Sequence, residues 1–88
     1  MNFDLQLFGE RNLSNQTSNQ LRKGIRSLQK EIVEHRAKIN EPWKSYPDWF
    51  SEPDKQQGRI EHWQKEIRNF EESIQNRIDE LAKRGELP

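Results

Sequence analysis

The sequence predicts an all-α protein, an antiparallel, coiled-coil-like hairpin of two helices. Two long segments carry apolar residues at alternating spacings of three and four, and a connector of about a dozen residues with two prolines joins them. Such a short connection favours folding back of the second helix on the first. Of the 88 residues, 34% are charged and only 30% are hydrophobic. The core is therefore thin, and we expect homo-oligomerisation to complete it.

Residues 1–18 are predicted to form an extended or flexible segment before the helical hairpin at residues 19–85. Phe3, Leu5 and Leu7 alternate with polar residues, so they would share one side of an extended chain. We expect these three side chains to contribute to an oligomer interface.

The first helix is predicted at residues 19–39. Thr17 and Gln20 form a capping-box pattern at its start, and Asn40 with Pro42 ends it. Its apolar stripe consists of Leu21, Ile25, Leu28, Ile32 and Ile39, with His35 in the one vacant position.

The second helix is predicted at residues 52–84. Ser51 and Asp54 repeat the capping-box pattern, and Gly85 follows a basic last turn as a stop signal. Its longer stripe consists of Ile60, Trp63, Ile67, Phe70, Ile74, Ile78 and Leu81.

Folding the second helix back on a connector at residues 40–51 predicts the register of the pair. The expected apolar contacts are Leu21 with Ile74, Ile25 with Phe70, Leu28 with Ile67 and Ile32 with Trp63. The same register sets Arg22, Lys23 and Arg26 beside Glu71 and Glu72. It also leaves Ile78 and Leu81 without a partner on the first helix, which predicts that they belong to an oligomer interface.

The connector holds four of the eight aromatic residues, and these are Trp43, Tyr46, Trp49 and Phe50. Connectors normally carry polar turn residues rather than large rings. The rings either close the end of the thin core or form a recognition surface for a planar ligand or a protein partner. In the second interpretation the candidate ligand-binding residues are Trp43, Tyr46, Trp49, Lys55, Arg59, His62 and Arg36.

Rings beside cations favour a nucleotide-type ligand, since stacking holds a base and guanidinium groups hold phosphates. The alternative is a solvated face with local salt bridges to Glu34, Glu52 and Glu66. Gly24 and Gly58 lie inside predicted helices and indicate close backbone approach, including approach of a second subunit.

The sequence contains no nucleophile paired with a general base, no phosphate-binding glycine loop and no cluster of residues at metal-ligand spacing. We therefore expect no catalytic residue, metal or cofactor. His35 fits the helix seam and His62 the surface better than either fits a metal site. A formal charge of zero argues against bulk nucleic-acid binding. The absence of cysteine, of a signal peptide and of a long apolar stretch predicts a cytosolic protein without membrane association.

The opening Met-Asn-Phe-Asp-Leu-Gln-Leu-Phe-Gly resembles the start of many proteins encoded in head and structural gene clusters of phages and prophages of Gram-positive bacteria. Tyr46-Pro-Asp-Trp49 and His62-Trp-Gln-Lys-Glu-Ile67 are similar to segments of small uncharacterised phage proteins. The resemblance implies a phage context and location in the host cytoplasm, with no catalytic residues to transfer.

The sequence leads to two main hypotheses and to a third, a small nucleic-acid binder. The first is a non-enzymatic phage accessory protein that opposes host defence, by sequestering a nucleotide immune signal or by occluding a host immune protein. The second is a head-associated or scaffold-like protein of virion morphogenesis. In the third, the basic residues Arg22, Lys23, Arg26 and Lys30 contact phosphates.

Overall fold

The computed structural model describes residues 13–88, and the described chain is helical throughout its regular structure, with no strand. This confirms the predicted all-α class. The three α-helices are α1 (Ser18–Asn40), α2 (Pro42–Ser45) and α3 (Gln56–Lys83), and single 3-10 turns occur at Leu13–Asn15 and Pro53–Lys55. The predicted oligomer residues Phe3, Leu5 and Leu7 lie outside the described residues.

The start of α1 has the predicted capping box. The Thr17 hydroxyl oxygen accepts a hydrogen bond from the Gln20 backbone N–H at 3.1 Å, and the Thr17 backbone N–H donates to the Gln20 side-chain oxygen at 2.9 Å. Both contacts satisfy amide groups that a helix start would otherwise leave unpaired. Just before the helix, the predicted extended or flexible segment contains a 3-10 turn, which buries Leu13.

The start of α3 differs from the prediction. Ser51 is not a cap, since its hydroxyl donates to the Asp48 carbonyl oxygen at 3.0 Å, and the 3-10 turn delays the α-helix to Gln56. The end of α3 follows the prediction. Gly85 has φ of +73°, and the Glu86 N–H donates to the Leu81 carbonyl at 2.9 Å. This is the glycine-dependent helix stop in which the chain turns back on the last helical carbonyls.

The two long helices pack together in a hairpin-like body of 51 × 21 × 14 Å. Their apolar stripes form two buried clusters. The cluster near the chain ends contains Leu13, Leu21, Ile25 and Leu81 with Ile74 and Ile78 against it, and the second contains Leu28, Ile32, Ile67 and Phe70 with Ile39 and Ile74. All of these residues except Leu13 come from the predicted stripes.

The predicted register is wrong by about two helical turns, since Arg77 lies against Gly24 where the predicted register placed Phe70. Arg22 pairs with Glu86 at 3.3 Å, and Glu71 pairs with Arg36 at 3.5 Å rather than with the basic start of α1. The displacement places the C-terminal end of α3 against the first turns of α1. The first turns of α3 contact the connector. Lys23 and Arg26 consequently lie on the exposed side of α1.

The displacement also corrects the assignment of Ile78 and Leu81. Leu81 is 0% exposed within the single chain, where Leu13, Leu21 and Ile25 surround it, and Ile78 packs on the same cluster. Ile78 and Leu81 were predicted to belong to an oligomer interface because they were expected to lack a partner on the first helix. That expectation is wrong. Leu81 has no exposed surface to offer a second chain.

Gly24 lies against a side chain of the same molecule. A Cβ atom at Gly24 would come within 2.9 Å of Nε of Arg77, whose guanidinium donates to the Ser73 carbonyl at 3.0 Å. The neighbour at Gly24 is thus a side chain of the paired helix, not the second backbone that was predicted there. Gly58 has no atom within 4 Å of the corresponding position and borders open space.

Candidate binding site at the connector

The connector, residues 41–55, is a series of tight turns rather than a simple loop. Pro42 is buried and begins α2, and the Tyr46 N–H closes that helix on the Pro42 carbonyl at 2.9 Å. The Asp48 carbonyl then accepts the backbone N–H groups of Ser51 and Glu52, each at 3.1 Å. These bonds fix the backbone from which the aromatic side chains project.

Trp49 belongs to the protein core. It is only 6% exposed, and its ring stacks on Trp63 of α3 with 6.2 Å between centroids and 21° between planes. The Gln56 side-chain amide donates to its carbonyl oxygen at 2.8 Å. The prediction that Trp49 is a ligand-stacking ring is therefore wrong, because its partner is a ring of the same chain.

Tyr46 is also engaged internally. The guanidinium carbon of Arg59 lies 3.5 Å from the centroid of the Tyr46 ring, so a cation covers one ring face. The Tyr46 hydroxyl donates to Glu52 Oε1 at 2.5 Å, and Lys55 Nζ lies 3.4 Å from the same carboxylate oxygen. Arg59 thus covers one face of the Tyr46 ring, and that face is not open to a ligand.

The hydrogen bond between Tyr46 and Glu52 shifts both acids. It lowers the pKa of the Glu52 carboxyl, with Lys55 and Arg59 adding to the effect, and it raises the pKa of the Tyr46 hydroxyl against the opposing charge of Arg59. A carboxyl whose pKa is lower in the folded state stabilises the fold above its ordinary pKa. That contribution is lost as the pH falls through the folded-state pKa.

Tyr46→Phe is expected to raise the pKa of Glu52 towards its ordinary value of 4.5, because the hydroxyl is the largest cause of the lowering. The pKa is measured by following the Glu52 carboxyl carbon in an NMR pH titration. Glu86, whose pKa is lowered by Ser18 at the other end of the molecule, serves as the control and should titrate unchanged. An unaltered Glu52 titration in the variant would contradict this account.

Trp43 and Phe50 form the exposed aromatic surface of the connector. Their exposed fractions are 44% and 71%, and the two rings stack with centroids 5.9 Å apart and planes 25° apart. Trp43 is a predicted site residue and Phe50 is not. The only indication for Phe50 in the sequence was that it is one of the four connector aromatics. The sequence did not show that the Phe50 side chain faces solvent while the Trp49 side chain enters the core.

A groove of about 320 Å³ lies beside the connector on the first turns of α3, and it is lined by Lys55, Gly58, Arg59, His62 and Trp63. The structure therefore brings together three of the predicted site residues, Lys55 from the 3-10 turn and Arg59 and His62 from α3. Each has a contact within the chain, since Lys55 pairs with Glu52, Arg59 covers Tyr46, and Nε2 of His62 lies 2.9 Å from Oε1 of Glu66. Nε of Arg59 is buried with no hydrogen-bond partner among the described residues.

Arg36 does not join this groove. It pairs with Glu71 and lines a second groove of about 350 Å³ between α1 and α3, together with Gln29, Ile32, Val33 and Ile74. The predicted register placed Arg36 near the connector end, and the displacement of α3 accounts for the difference.

The sequence did not reveal that Glu66 contacts side chains of both long helices. Its Oε1 lies 2.9 Å from Nε2 of His62 and 3.3 Å from Nε2 of His35, so it joins the two histidines of the chain across the two long helices. Spacing alone revealed only the pair on α3. No group of three or more histidine, aspartate or glutamate side chains within residues 13–88 has the geometry to hold a metal ion.

Neither long helix of the described chain has an apolar stretch of the length and hydropathy needed to cross a membrane. Comparison with known proteins found no matching family model, no matching curated protein and no matching solved structure. The function is therefore inferred from the geometry of the connector and from the resemblance of the opening residues.

Proposed function

We propose that this chain is a non-enzymatic accessory protein of a phage or prophage, and that it acts by binding a protein partner at the connector. The observation that carries the proposal is the exposed ring pair of Trp43 and Phe50. Large aromatic side chains supply much of the binding energy at protein interfaces when a fixed backbone presents them. Here the stacking of Trp49 on Trp63 anchors that backbone to α3.

The partner that we propose is a host immune protein, which the chain occludes in the host cytoplasm. The phage-like opening residues support the context. The exposed ring pair supports a protein partner over a nucleotide, because Trp49 is buried and Tyr46 is covered by Arg59.

We further propose that the helix pair is an antiparallel, coiled-coil-like hairpin and that the chain forms a homo-oligomer. The ion pairs support the antiparallel direction, since Arg22 pairs near the end of α3 and Arg36 pairs near its middle. The recurrence of apolar residues at steps of three and four supports coiled-coil-like packing. The thin core supports self-association.

Trp43→Ala is expected to weaken partner binding by about 30-fold or more, the loss for an interface hot spot of about 2 kcal/mol. The assay is co-purification of the tagged chain from infected cells of a defence-bearing host, followed by titration of the purified immune protein that is retained. Ala37→Ser, on the exposed side of α1, is the matched control and should bind as the wild type does.

The same strains test the biological role by phage plating. The wild-type chain should raise plating on the defence-bearing host, and Trp43→Ala should not. Retention of no immune protein, or equal binding by Trp43→Ala, would reject the proposal. Detection of the chain in purified phage particles would instead favour the morphogenesis hypothesis.

A nucleotide-type immune signal is the second candidate ligand, and the observation that favours it is the groove beside Trp63. Lys55, Arg59 and His62 line that groove, and a guanidinium with two neighbouring basic side chains is a group that can hold a phosphate. Calorimetry with cyclic dinucleotides and ADP-ribose tests it. Binding by the wild type that is lost in Arg59→Gln would support this candidate, and absence of heat with the wild type would remove it.

A further inference from the structure

The first half of α1 presents three basic side chains to solvent. Lys23, Arg26 and Lys30 are exposed and follow each other at steps of three and four, so they share the face opposite the buried stripe of α1. Within residues 13–88 none of the three forms an ion pair. The acidic neighbours that the sequence predicted for this segment are not beside it, since Glu71 pairs with Arg36. The structure thus leaves the basic face of α1 without a partner in its own chain.

The outer face of α3 carries two carboxylates without an ion pair. Arg68, Glu72 and Asp79 are exposed and follow each other at steps of four and seven, so they share the face opposite the buried stripe of α3. None of the three forms an ion pair within the described residues. Asp79 accepts a hydrogen bond from the neutral side-chain amide of Gln75 at 2.9 Å. The charges of this face are therefore open to a partner outside the chain.

The charges on these two outer faces match in spacing and in sign. Seven residues, about 10 Å of helix, separate Lys23 from Lys30, and seven residues also separate Glu72 from Asp79. Glu34 is exposed as well and lies one turn beyond Lys30. When the two faces are set side by side in antiparallel directions, three pairs of opposite charge coincide, and these are Lys23 with Asp79, Lys30 with Glu72 and Glu34 with Arg68.

The two outer faces cannot meet within one chain, because each points away from the paired helix. They nevertheless lie at equal heights along the hairpin, since Gly24 of α1 lies against Arg77 of α3, and His35 lies against Glu66. A second copy can therefore stand beside the first in the same orientation, with no displacement along the hairpin. Its α3 then runs antiparallel to α1 of the first copy, and all three charge pairs are in register.

We propose that the chain self-associates through these faces, with the outer face of α1 in one copy against the outer face of α3 in the next. The surface is that of the homo-oligomer proposed above, on which this inference rests. A contact between unlike faces leaves one face open at each end, so further copies add in a closed ring or an open row. Exposed ion pairs each contribute little affinity, so the association is weak and decreases with salt.

Charge reversal tests the surface, with sedimentation velocity at low salt and up to millimolar protein as the measurement. Lys23→Glu combined with Lys30→Glu sets acids against acids at the contact. Glu72→Lys combined with Asp79→Lys sets bases against bases. Each double variant alone should lose at least about tenfold in its association constant, because like charges then face each other. An equimolar mixture of the two double variants restores opposite charges between unlike copies and should associate as the wild type does.

The quadruple variant, which combines all four reversals in one chain, is the matched control. It leaves the net charge unchanged and should associate with itself but not with the wild type. Circular dichroism checks that each variant folds. Should a reversed variant not fold, replacement of the same two lysines by glutamine removes their charge without adding repulsion and should also weaken association.

The outcomes separate this surface from self-association in general. A wild type that stays monomeric at low salt would overturn the proposal together with the homo-oligomer. An oligomer that withstands the charge reversals, or the addition of about 0.5 M salt, would overturn this surface alone and leave the homo-oligomer standing. Failure of the mixed double variants to associate would also overturn it, since opposite charges would then not be what joins the copies.

Discussion

Leu81→Ala is expected to lower the free energy of unfolding by about 2–5 kcal/mol, the usual cost of truncating a buried leucine. Leu81 is one of the two largest fully buried side chains, and the other, Leu21, belongs to the same cluster. A domain of this size has a total stability of roughly 5–10 kcal/mol. One truncation near the chain ends therefore removes a large part of the stability of the fold.

The loss is measured by urea unfolding of the wild type and the variant with one common slope. Leu87→Ala is the matched control, since Leu87 is 83% exposed and the change should stay within about 0.5 kcal/mol. An equally small effect of Leu81→Ala would contradict the observed register. It would indicate that Leu81 lacks a partner on the first helix, as the sequence predicted.

The helices were predictable because their signals are local. The Thr17 cap, the Gly85 stop and the apolar stripes each depend on neighbouring residues, and the structure has all of them. The start of α3 was missed because Pro53 is compatible with a 3-10 turn as well as with the first turn of an α-helix. A capping-box pattern does not distinguish the two.

The register was not predictable because the stripe of α3 repeats. Ile60, Ile67, Ile74 and Leu81 recur every seven residues, so a shift of two turns replaces each apolar contact by another of similar size. Polar contacts far apart in the chain help to distinguish the registers. Arg84 donates to the Leu13 carbonyl at 3.1 Å, and Arg22 pairs with Glu86. No spacing rule connects residues so far apart in the chain.

The candidate site was predictable as a region but not ring by ring. Lys55, Arg59 and His62 share one helical face by spacing alone, and the structure places them in one groove. The orientation of each connector side chain depends on the turns around Asp48 and on which ring packs against Trp63. Those turns divide adjacent residues, since Trp49 enters the core while Phe50 joins Trp43 at the surface.

The inner rings of the connector fit the interpretation in which the aromatic residues close the end of the core, and a recognition surface at Trp43 and Phe50 remains a proposal. The inner rings fix the backbone, and the outer rings provide apolar surface that the described chain does not cover. The two groups predict opposite behaviour on truncation. Truncation of an inner ring is expected to lower the stability of the fold. Truncation of an outer ring is expected to weaken the proposed partner binding with little change in stability.

Trp49→Ala is accordingly expected to cost about 3–5 kcal/mol of unfolding free energy, as for other buried large aromatic side chains. The variant loses the stacking on Trp63 and leaves a cavity where the connector meets the start of α3. Urea unfolding gives the energy. Near-ultraviolet circular dichroism should show loss of fixed tryptophan packing while the far-ultraviolet helix signal persists in the folded fraction.

Trp43→Ala is the matched comparison, because it removes the same side chain from the same connector. Its ring is 44% exposed and contacts Phe50, so about 1 kcal/mol is the expected cost. Equal destabilisation by the two changes would contradict the division into inner and outer rings. A stable Trp49→Ala variant would show that the connector backbone holds without Trp49, and the case for a fixed presentation of Trp43 and Phe50 would fail with it.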